Sequence, residues 1–497
     1  MRRLRHTRLL PAACLLALAA PPAADAQPDT GLQAALALEK ALVETIAAAE
    51  KSVVAIARVP KGPAVGILRD EDSAIVPSGY GTGVVVDRRG LILTNYHVLG
   101  DVEKYDYYVW IQHRSFKVKG VSAREDRKRD AADARQQARF QAKDVKAADP
   151  WFDLAVLEID ADDLTPIKFG DAGKLKKGQI VVALGNPYAI ARDGEVSATW
   201  GIISNLRRHA PAPPGEDPLR PQDNTVQQYG DMIQTDAQLP QGASGGALLN
   251  LKGEMIGLTS SLAALSNGET TAGFAIPVDE QFKRVVEQLK LGRRAEFGFL
   301  GVAPEGGAYE LASGEPAVRI RNVVPGTPAA RAFLRPADVV THVDGVRLYD
   351  HYDLMREVGK LPVGKRVTLT VVRDGRTPQN VPVTLAKKYL NTTRPVIGRT
   401  TRPLWRGMRV DYATASPGEI FQQRAPELGL GTCVTVSDIE PDSPAWKAGL
   451  RQWTYISHVA GKAVEDPAEF YKLVAGRNGP IELRLIGNRE SVTVAAP

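Results

Sequence analysis

Ser244 sits in the stretch QGASGGALL (residues 241–249), where Gly242, Gly245 and Gly246 surround a single hydroxyl. Such backbone can take dihedrals closed to other residues and come close to a ligand, as an oxyanion hole requires of its N–H groups. It suits a tight turn equally well. A serine becomes a nucleophile only with a base in reach, and an imidazole base needs a buried carboxylate to fix its tautomer. LILTNYHVL places His97 just after an apolar strand, and DPWFDLAVLEI places Asp153 at the head of another, beside Trp151, Phe152 and Leu154. Each has a plainer reading on its own: a histidine at a barrel rim, an acid at a strand start. A carboxylate among so much apolar sequence nevertheless needs a hydrogen-bonding partner, or its burial is costly.

The order His97, Asp153, Ser244, with gaps of 56 and 91 residues, matches the chymotrypsin arrangement, in which two barrels meet at the site. The elements that would position these residues fit. From SVVAIARV (residues 52–59) to about Pro277, short β-branched runs such as TGVVVD, LILT, LAVLEI, QIVVALG and GEMIGLTSS alternate with Gly, Asn, Asp and Pro breaks. Many short strands at this spacing predict a barrel or sandwich. Leu38, Leu42, Ile46 and Ala49 share one face of a helix expected over residues 32–50. Residues 122–148, dense in charge and alanine, read as a solvated helical insert. A nucleic-acid interface there is disfavoured, because acids interleave with the bases. A further helix over residues 278–292 closes the region.

Beyond it lie two segments of similar length, 296–389 and 403–496, joined by a linker over 390–402. VVPGTPAARAFLRPADVVTHVDGVRL in the first parallels DIEPDSPAWKAGLRQWTYISHVAGKAV in the second. Each has Pro-x-Ser/Thr-Pro-Ala opening a short helix, then a strand and a glycine turn, so the two read as a degenerate tandem repeat.

Composition narrows the class. The chain has 497 residues, 44% hydrophobic and 24% charged, an ordinary globular balance with room for several domains. Arg2, Arg3, Arg5 and Arg8 precede an apolar run, and ADAQ offers cleavage after Ala26, so residues 1–26 read as an export signal. The run is too short to span a bilayer, and no stable membrane insertion is expected after cleavage. Its loss lowers the formal charge from +6 to +3, which indicates no polyanionic partner such as nucleic acid. Only Cys433 then remains, so no intramolecular disulfide is expected. The histidines are too scattered for metal-ligand spacing, and no metal or cofactor is expected.

The motifs GYGTGVVVDRRGLILTNYHVL, DLAVL, LGNP, WGIISNL, IQTDAQLPQGASGGALLN and GFAIPVD appear in the order found in the HtrA (Deg) family of exported serine proteases, and the chain resembles that family over about residues 32–490. The resemblance implies a mainly β fold: a chymotrypsin-like double barrel over 27–292, then two small α+β PDZ-like domains. It implies His97 as general base, Asp153 as its orienting acid and Ser244 as nucleophile, with the N–H groups of Gly242 and Ser244 as oxyanion hole. Gln238, six residues before the serine, lies where trypsin-like enzymes carry a specificity acid. A neutral residue there implies cleavage after small aliphatic side chains rather than Lys or Arg. FLGV (Phe299, Leu300, Gly301, Val302) resembles a PDZ carboxylate loop; WRGM (residues 405–408) fits more loosely. The implied partners are unfolded proteins and C-terminal peptides, and the implied assembly is a homo-trimer, although residues 27–51 lack the aromatics of the family's subunit contact.

The chain departs from the family pattern at several positions. Ala243 replaces the usual Asn before the serine, and Pro240-Gln241 replaces Pro-Gly, the pair that shapes the entrance to the hole. Phe333 and Ala337 stand where the repeat usually has glycine. The loop over 207–230 occupies the position of the family's sensor loop. The reading is therefore an ATP-independent exported endopeptidase. Its rival is a peptide-binding chaperone or adaptor on the same fold, catalytically weak or silent.

Overall fold

The strand Leu91–Asn95 pairs with Leu154–Glu158 so that Asn95 faces Leu154. That register brings the chain just beyond one strand against the chain just before the other, which is where His97 and Asp153 lie. A one-residue slip would turn every buried side chain of these strands to the wrong face. The computed structural model describes residues 30–61, 78–111, 114–116, 145–186, 195–209, 225–260, 272–375, 377–390, 394–428, 431–487 and 491–496. The expected signal, residues 122–144 of the charged insert and residues 210–224 of the sensor-loop position lie outside the described residues.

The two strands belong to an antiparallel sheet of eight. In spatial order these are Ile397–Gly398, Val145–Asp149, Leu154–Glu158, Leu91–Asn95, Gly79–Asp87, Val53–Pro60, Tyr105–Ile111 and Arg114–Phe116. A second sheet closes into a six-stranded barrel of Met232–Thr235, Gly273–Pro277, Met255–Ser260, Ala247–Leu249, Ile180–Gly185 and Ser197–Arg208. One core joins them: Leu93, Leu154 and Val156 from the first meet Val182, Leu184 and Leu258 from the second. The helix Glu280–Lys290 seals it with Phe282, Val285, Val286 and Leu289, and the Asp279 carboxylate caps its first turn. Each of those four buried side chains contributes about 1.5–3 kcal/mol.

Two sequence expectations change in detail. Residues 145–148 were expected in the charged helix but form the strand Val145–Asp149. Val145, Ala147 and Ala148 are buried there, and pairing on both edges outweighs the helix propensity of Lys and Ala. The N-terminal helix, expected over 32–50, runs Thr30–Ala49 and packs Leu42, Ile46 and Ala49 against the core, whereas Leu38 of the expected face is only half-buried and Leu32, Leu36 and Val43 are exposed.

The tandem segments share one order of elements. The first has strands Val302–Pro304, Pro316–Val323, Val339–Val343, Arg366–Val372 and Gln379–Thr384, with helices Pro328–Arg331 and His351–Gly359. The second repeats it with Met408–Tyr412, Val434–Ile439, Tyr455–Val459, Ile481–Leu485 and Ser491–Val494, and helices Pro444–Lys447 and Pro467–Val474. An extra helix, Gly418–Leu428, packs Phe421, Ala425 and Leu428 on Cys433 and Tyr455 of its own domain and on Val324 of the first. Within the linker, Ile397–Gly398 pairs with Ala147 and Ala148, so the connection itself extends the first sheet.

Candidate active site

Asp153 is 7% exposed and adopts φ +55°, a left-handed conformation that Asp tolerates better than most residues. Backbone strain of this kind persists only where surrounding bonds enforce it. Here the enforcement comes from the His97 strand end: Asp153 O accepts from the Tyr96 amide at 3.0 Å and from Asn95 Nδ2 at 3.2 Å. The carboxylate grips the other side, accepting from the His97 amide at 2.9 Å through Oδ1 and lying 2.8 Å from His97 Nδ1 through Oδ2. A carboxylate on Nδ1 leaves the proton there and presents Nε2 as the basic nitrogen.

Ser244, 4% exposed, lies in the loop between the barrel strands Met232–Thr235 and Ala247–Leu249. Thr82 fastens this loop to the first sheet. Its Oγ1 donates to Gly242 O at 2.7 Å and accepts from the Asn186 amide at 2.9 Å, and its own amide donates to Ser244 O at 2.8 Å. Thr259 Oγ1 donates to Ala243 O at 2.5 Å. C=O and N–H of a trans peptide point opposite ways, so anchoring the Ala243 carbonyl on Thr259 aims the Ser244 amide away from that strand. Gly245, at φ +87°, has no space for a side chain: a Cβ there would fall 2.0 Å from Thr82 O. Thr82 and Thr259 were not singled out from sequence, although GYGTGVVVD contains the first. A threonine inside a strand carries no local sign that its hydroxyl reaches another loop.

Gln238 is exposed, with its carbonyl held by Thr199 Oγ1 at 2.9 Å. Ala243 is buried and contributes backbone alone. Among the described residues no cluster of His, Cys, Asp and Glu could hold a metal ion, and no helix is long and apolar enough to cross a membrane.

The turn leading into Asp153 is tied to other elements. Asp149 is fully buried, with Oδ1 accepting from the Phe152 amide at 2.8 Å. Burial pushes its carboxyl up to about 7, against the pull of the Phe152 and Trp151 amides and of Arg284. Trp151 O accepts from the Val226 amide, and Phe152 O from Gln227 Nε2. The Trp151 indole N–H crosses to the first repeat domain and donates to Gly359 O at 3.2 Å, while Lys388 Nζ lies 3.5 Å from its ring centre. Helix His351–Gly359 is also bound to the C-terminal end of the sensor-loop position, for Arg356 Nη1 donates to Tyr229 O and Gly230 O. Lys360 pairs with Asp231 at 2.5 Å.

In the first repeat domain, Leu300 O accepts from the Ala329 amide and Gly301 O from the Val324 amide, each at 2.9 Å. The amides of Gly301 and Val302 therefore face the opposite side of the loop. Strand Val302–Pro304 is one edge of its sheet, Gln379–Thr384 being the other. The second domain repeats the scheme with Arg406 O and Gly407 O accepting from Ala445 and Glu440. Its groove differs, because Val410 N on the edge strand donates to Tyr471 Oη at 3.4 Å. The Arg406 guanidinium is spent internally on the carbonyls of Val494, Ala495, Arg477 and Gly479.

A carboxylate–imidazole pair beside a braced serine loop, between two antiparallel sheets, is the architecture of trypsin-like peptidases. The model of the trypsin-like peptidase domain matches residues 81–258, and that of the PDZ domain matches residues 298–385. A probable periplasmic serine endoprotease DegP-like of Halomonas elongata is 30% identical over 409 residues, 79% of this chain and 73% of that one. The periplasmic pH-dependent serine endoprotease DegQ of Escherichia coli is 28% identical over 421 residues, 83% of this chain and 79% of that one. Among solved structures, the HtrA-type protease AlgW with tripeptide aligns at TM-score 0.48 and 25% identity, over 70% of this chain and 97% of that one. The chain belongs to the HtrA family of DegP-like serine endoproteases.

Proposed function

We propose that His97, Asp153 and Ser244 are the catalytic triad of an exported, periplasmic endopeptidase that cuts unfolded or damaged proteins without ATP. The observation that carries the reading is the double grip of Asp153 on His97, through Nδ1 and the main-chain amide together. His97 Nε2 takes the Ser244 proton, Ser244 Oγ attacks the scissile carbonyl, and the amides of Gly242 and Ser244 receive the oxyanion. His97 then returns the proton to the leaving amine, and water repeats the cycle on the acyl-enzyme. Asp153 stays ionised and stabilises the imidazolium. The test is labelling by a fluorophosphonate probe together with casein digestion. The wild-type chain should label and digest, and Ser244→Ala should do neither while keeping its melting profile. A folded wild-type chain that never labels would leave the adaptor reading instead.

The first PDZ domain, on the same proposal, adds a peptide's C-terminal strand to the edge Val302–Pro304 and holds its carboxylate on the amides of the loop Phe299, Leu300, Gly301 and Val302. Helix His351–Gly359 packs against strand Gly298–Phe299 of that loop and also against the turn Val226–Tyr229 at the C-terminal end of the sensor-loop position. Peptide capture thus has a mechanical route to Trp151 and the Asp153 turn. Calorimetry with one hydrophobic-ended peptide as free acid and as C-terminal amide tests capture; equal affinity would sink it. Casein turnover with the free acid tests coupling. The second domain, with Tyr471 across its edge strand, serves as a docking module.

A further inference from the structure

A cavity of about 560 Å³ opens where the protease domain, both repeat domains and the linker converge. Its walls carry six cationic side chains, Arg284, Arg293, Arg294, Lys387, Arg402 and Arg409, against two carboxylates, Glu296 and Asp411. Those carboxylates are already saturated. Glu296 Oε1 accepts from Lys387 at 3.0 Å and from Arg402 at 2.9 Å, and Asp411 accepts from the same two residues at 2.6 and 3.1 Å. Arg409 pairs with Asp438 outside the cavity. Three guanidinium groups therefore stand in excess.

Arg284 is the most telling of the three. It donates to Gln281 Oε1, Glu296 O and Lys360 O, all neutral acceptors, and burial holds its guanidinium below the ordinary arginine value against the nearby charges of Asp149 and Asp279. A desolvated cation bonded only to neutral groups gains from an anion brought beside it. Arg293 and Arg294 are exposed and form no ion pair among the described residues. The stem of Arg294 packs over Gly398, where a side chain would not fit. Thr400, Thr401 and Ser437 add hydroxyl groups to the lining.

We propose that this junction cavity binds a small molecule or headgroup carrying two or more closely spaced phosphates, and that the bound anion clamps the second repeat domain to the rest of the chain. Arginine forks match phosphate oxygens bidentately, which a single carboxylate would not saturate here. The volume falls within the range of small-molecule sites, about 300–1,000 Å³. Because its walls come from three domains, occupancy ties domain arrangement to the presence of the anion.

The probe is inorganic tripolyphosphate, titrated by calorimetry into the full chain carrying Ser244→Ala to prevent self-digestion. Saturable one-to-one binding is expected, weakened by roughly tenfold or more in Arg293→Glu/Arg294→Glu. Both arginines are exposed, and an unchanged melting profile in the absence of the probe confirms that this variant folds. Lys176→Glu/Lys177→Glu, an equal charge change elsewhere on the surface, should bind as the parent does. Phosphatidylcholine vesicles doped with a bisphosphorylated glycolipid form the second arm. Vesicle binding that the Arg293/Arg294 reversal abolishes, without tripolyphosphate binding, supports the site with a lipid headgroup as ligand. Tripolyphosphate binding alone supports a free ligand. The proposal is overturned if neither binds, if the Arg293/Arg294 variant binds like the parent, or if the Lys176/Lys177 variant loses as much.

Discussion

Thr82 Oγ1 donates to Gly242 O at 2.7 Å, so a strand of the first sheet holds the main chain two residues ahead of the serine in the second. The two halves of the site are thus registered by a hydroxyl as well as by their shared core. Thr82→Val keeps the shape, removes that bond and leaves the Asn186 amide without its acceptor. Turnover of casein should fall about tenfold to a hundredfold, the scale of a small misplacement of reacting groups. Binding of peptide to the first PDZ domain should not change. Wild-type kcat in the folded variant would show that the loop holds its shape without Thr82.

Asp153→Asn and Asp153→Ala separate orientation from strain. Asparagine tolerates φ +55° but favours the wrong imidazole tautomer, so kcat should drop by about 10⁴-fold in a chain of near-native stability. Alanine should lose activity similarly and also destabilise the chain, because it gives up the bond to the His97 amide and fits the left-handed backbone poorly. A loss of only a few-fold in Asp153→Asn would mean that another acid orients His97.

Asp149 predicts a dependence of stability on pH. Burial pushes its carboxyl up to about 7 in the folded chain, against an ordinary aspartate value near 3.8. Between those values the folded state holds a proton that the unfolded state has released, so stability falls as pH rises from about 4 and the loss is complete just above about 7. Arg284 lowers this value and Asp153 raises it. Chemical denaturation of Asp149→Asn against wild type, from pH 5 to 8, should show the variant gaining on the parent, by at most about 1.4 kcal/mol per pH unit. Parallel curves would mean that Asp149 ionises in the folded chain as it does in the unfolded one.

Phe333 and Ala337 have φ +57° and +71°, and each residue pays for a conformation that glycine adopts freely. Ala337→Gly should stabilise the first repeat domain by up to about 1 kcal/mol, read as a raised denaturation midpoint. Phe333 is 64% exposed, so Phe333→Gly should follow the same sign with little packing lost. Lowered midpoints in both would mean that the side chains contribute more than the backbone strain costs.

Cleavage sites give a fifth test. With Gln238 in place of an acid, mass mapping of casein fragments should find small aliphatic residues such as Val and Ala before the cut. Cuts clustered after Lys and Arg would reverse the specificity reading.

Much of this was legible in the chain. His97, Asp153 and Ser244 lie at strand ends whose apolar runs announce them, and the repeat shows as Pro-x-Ser/Thr-Pro-Ala before each short helix. Residues 145–148 were not legible as a strand. Their lysine and alanines favour a helix locally, and only pairing with Leu154–Glu158 and Ile397–Gly398 reverses that preference. Nor were Thr82, Thr259 and the indole of Trp151, whose partners lie 160, 16 and 208 residues away. Sequence patterns report what a residue does with its near neighbours; these three act at a distance.

The pairing of Ile397–Gly398 with Ala147 and Ala148 has a consequence for any shortened form of the chain. A protein ending at Tyr389 would keep His97, Asp153, Ser244 and the whole first repeat domain, yet expose the outer edge of strand Val145–Asp149. An unprotected strand edge is a template for another chain. Such a truncation should therefore self-associate through that edge, and the residues joining the two repeat domains act as a guard against aggregation.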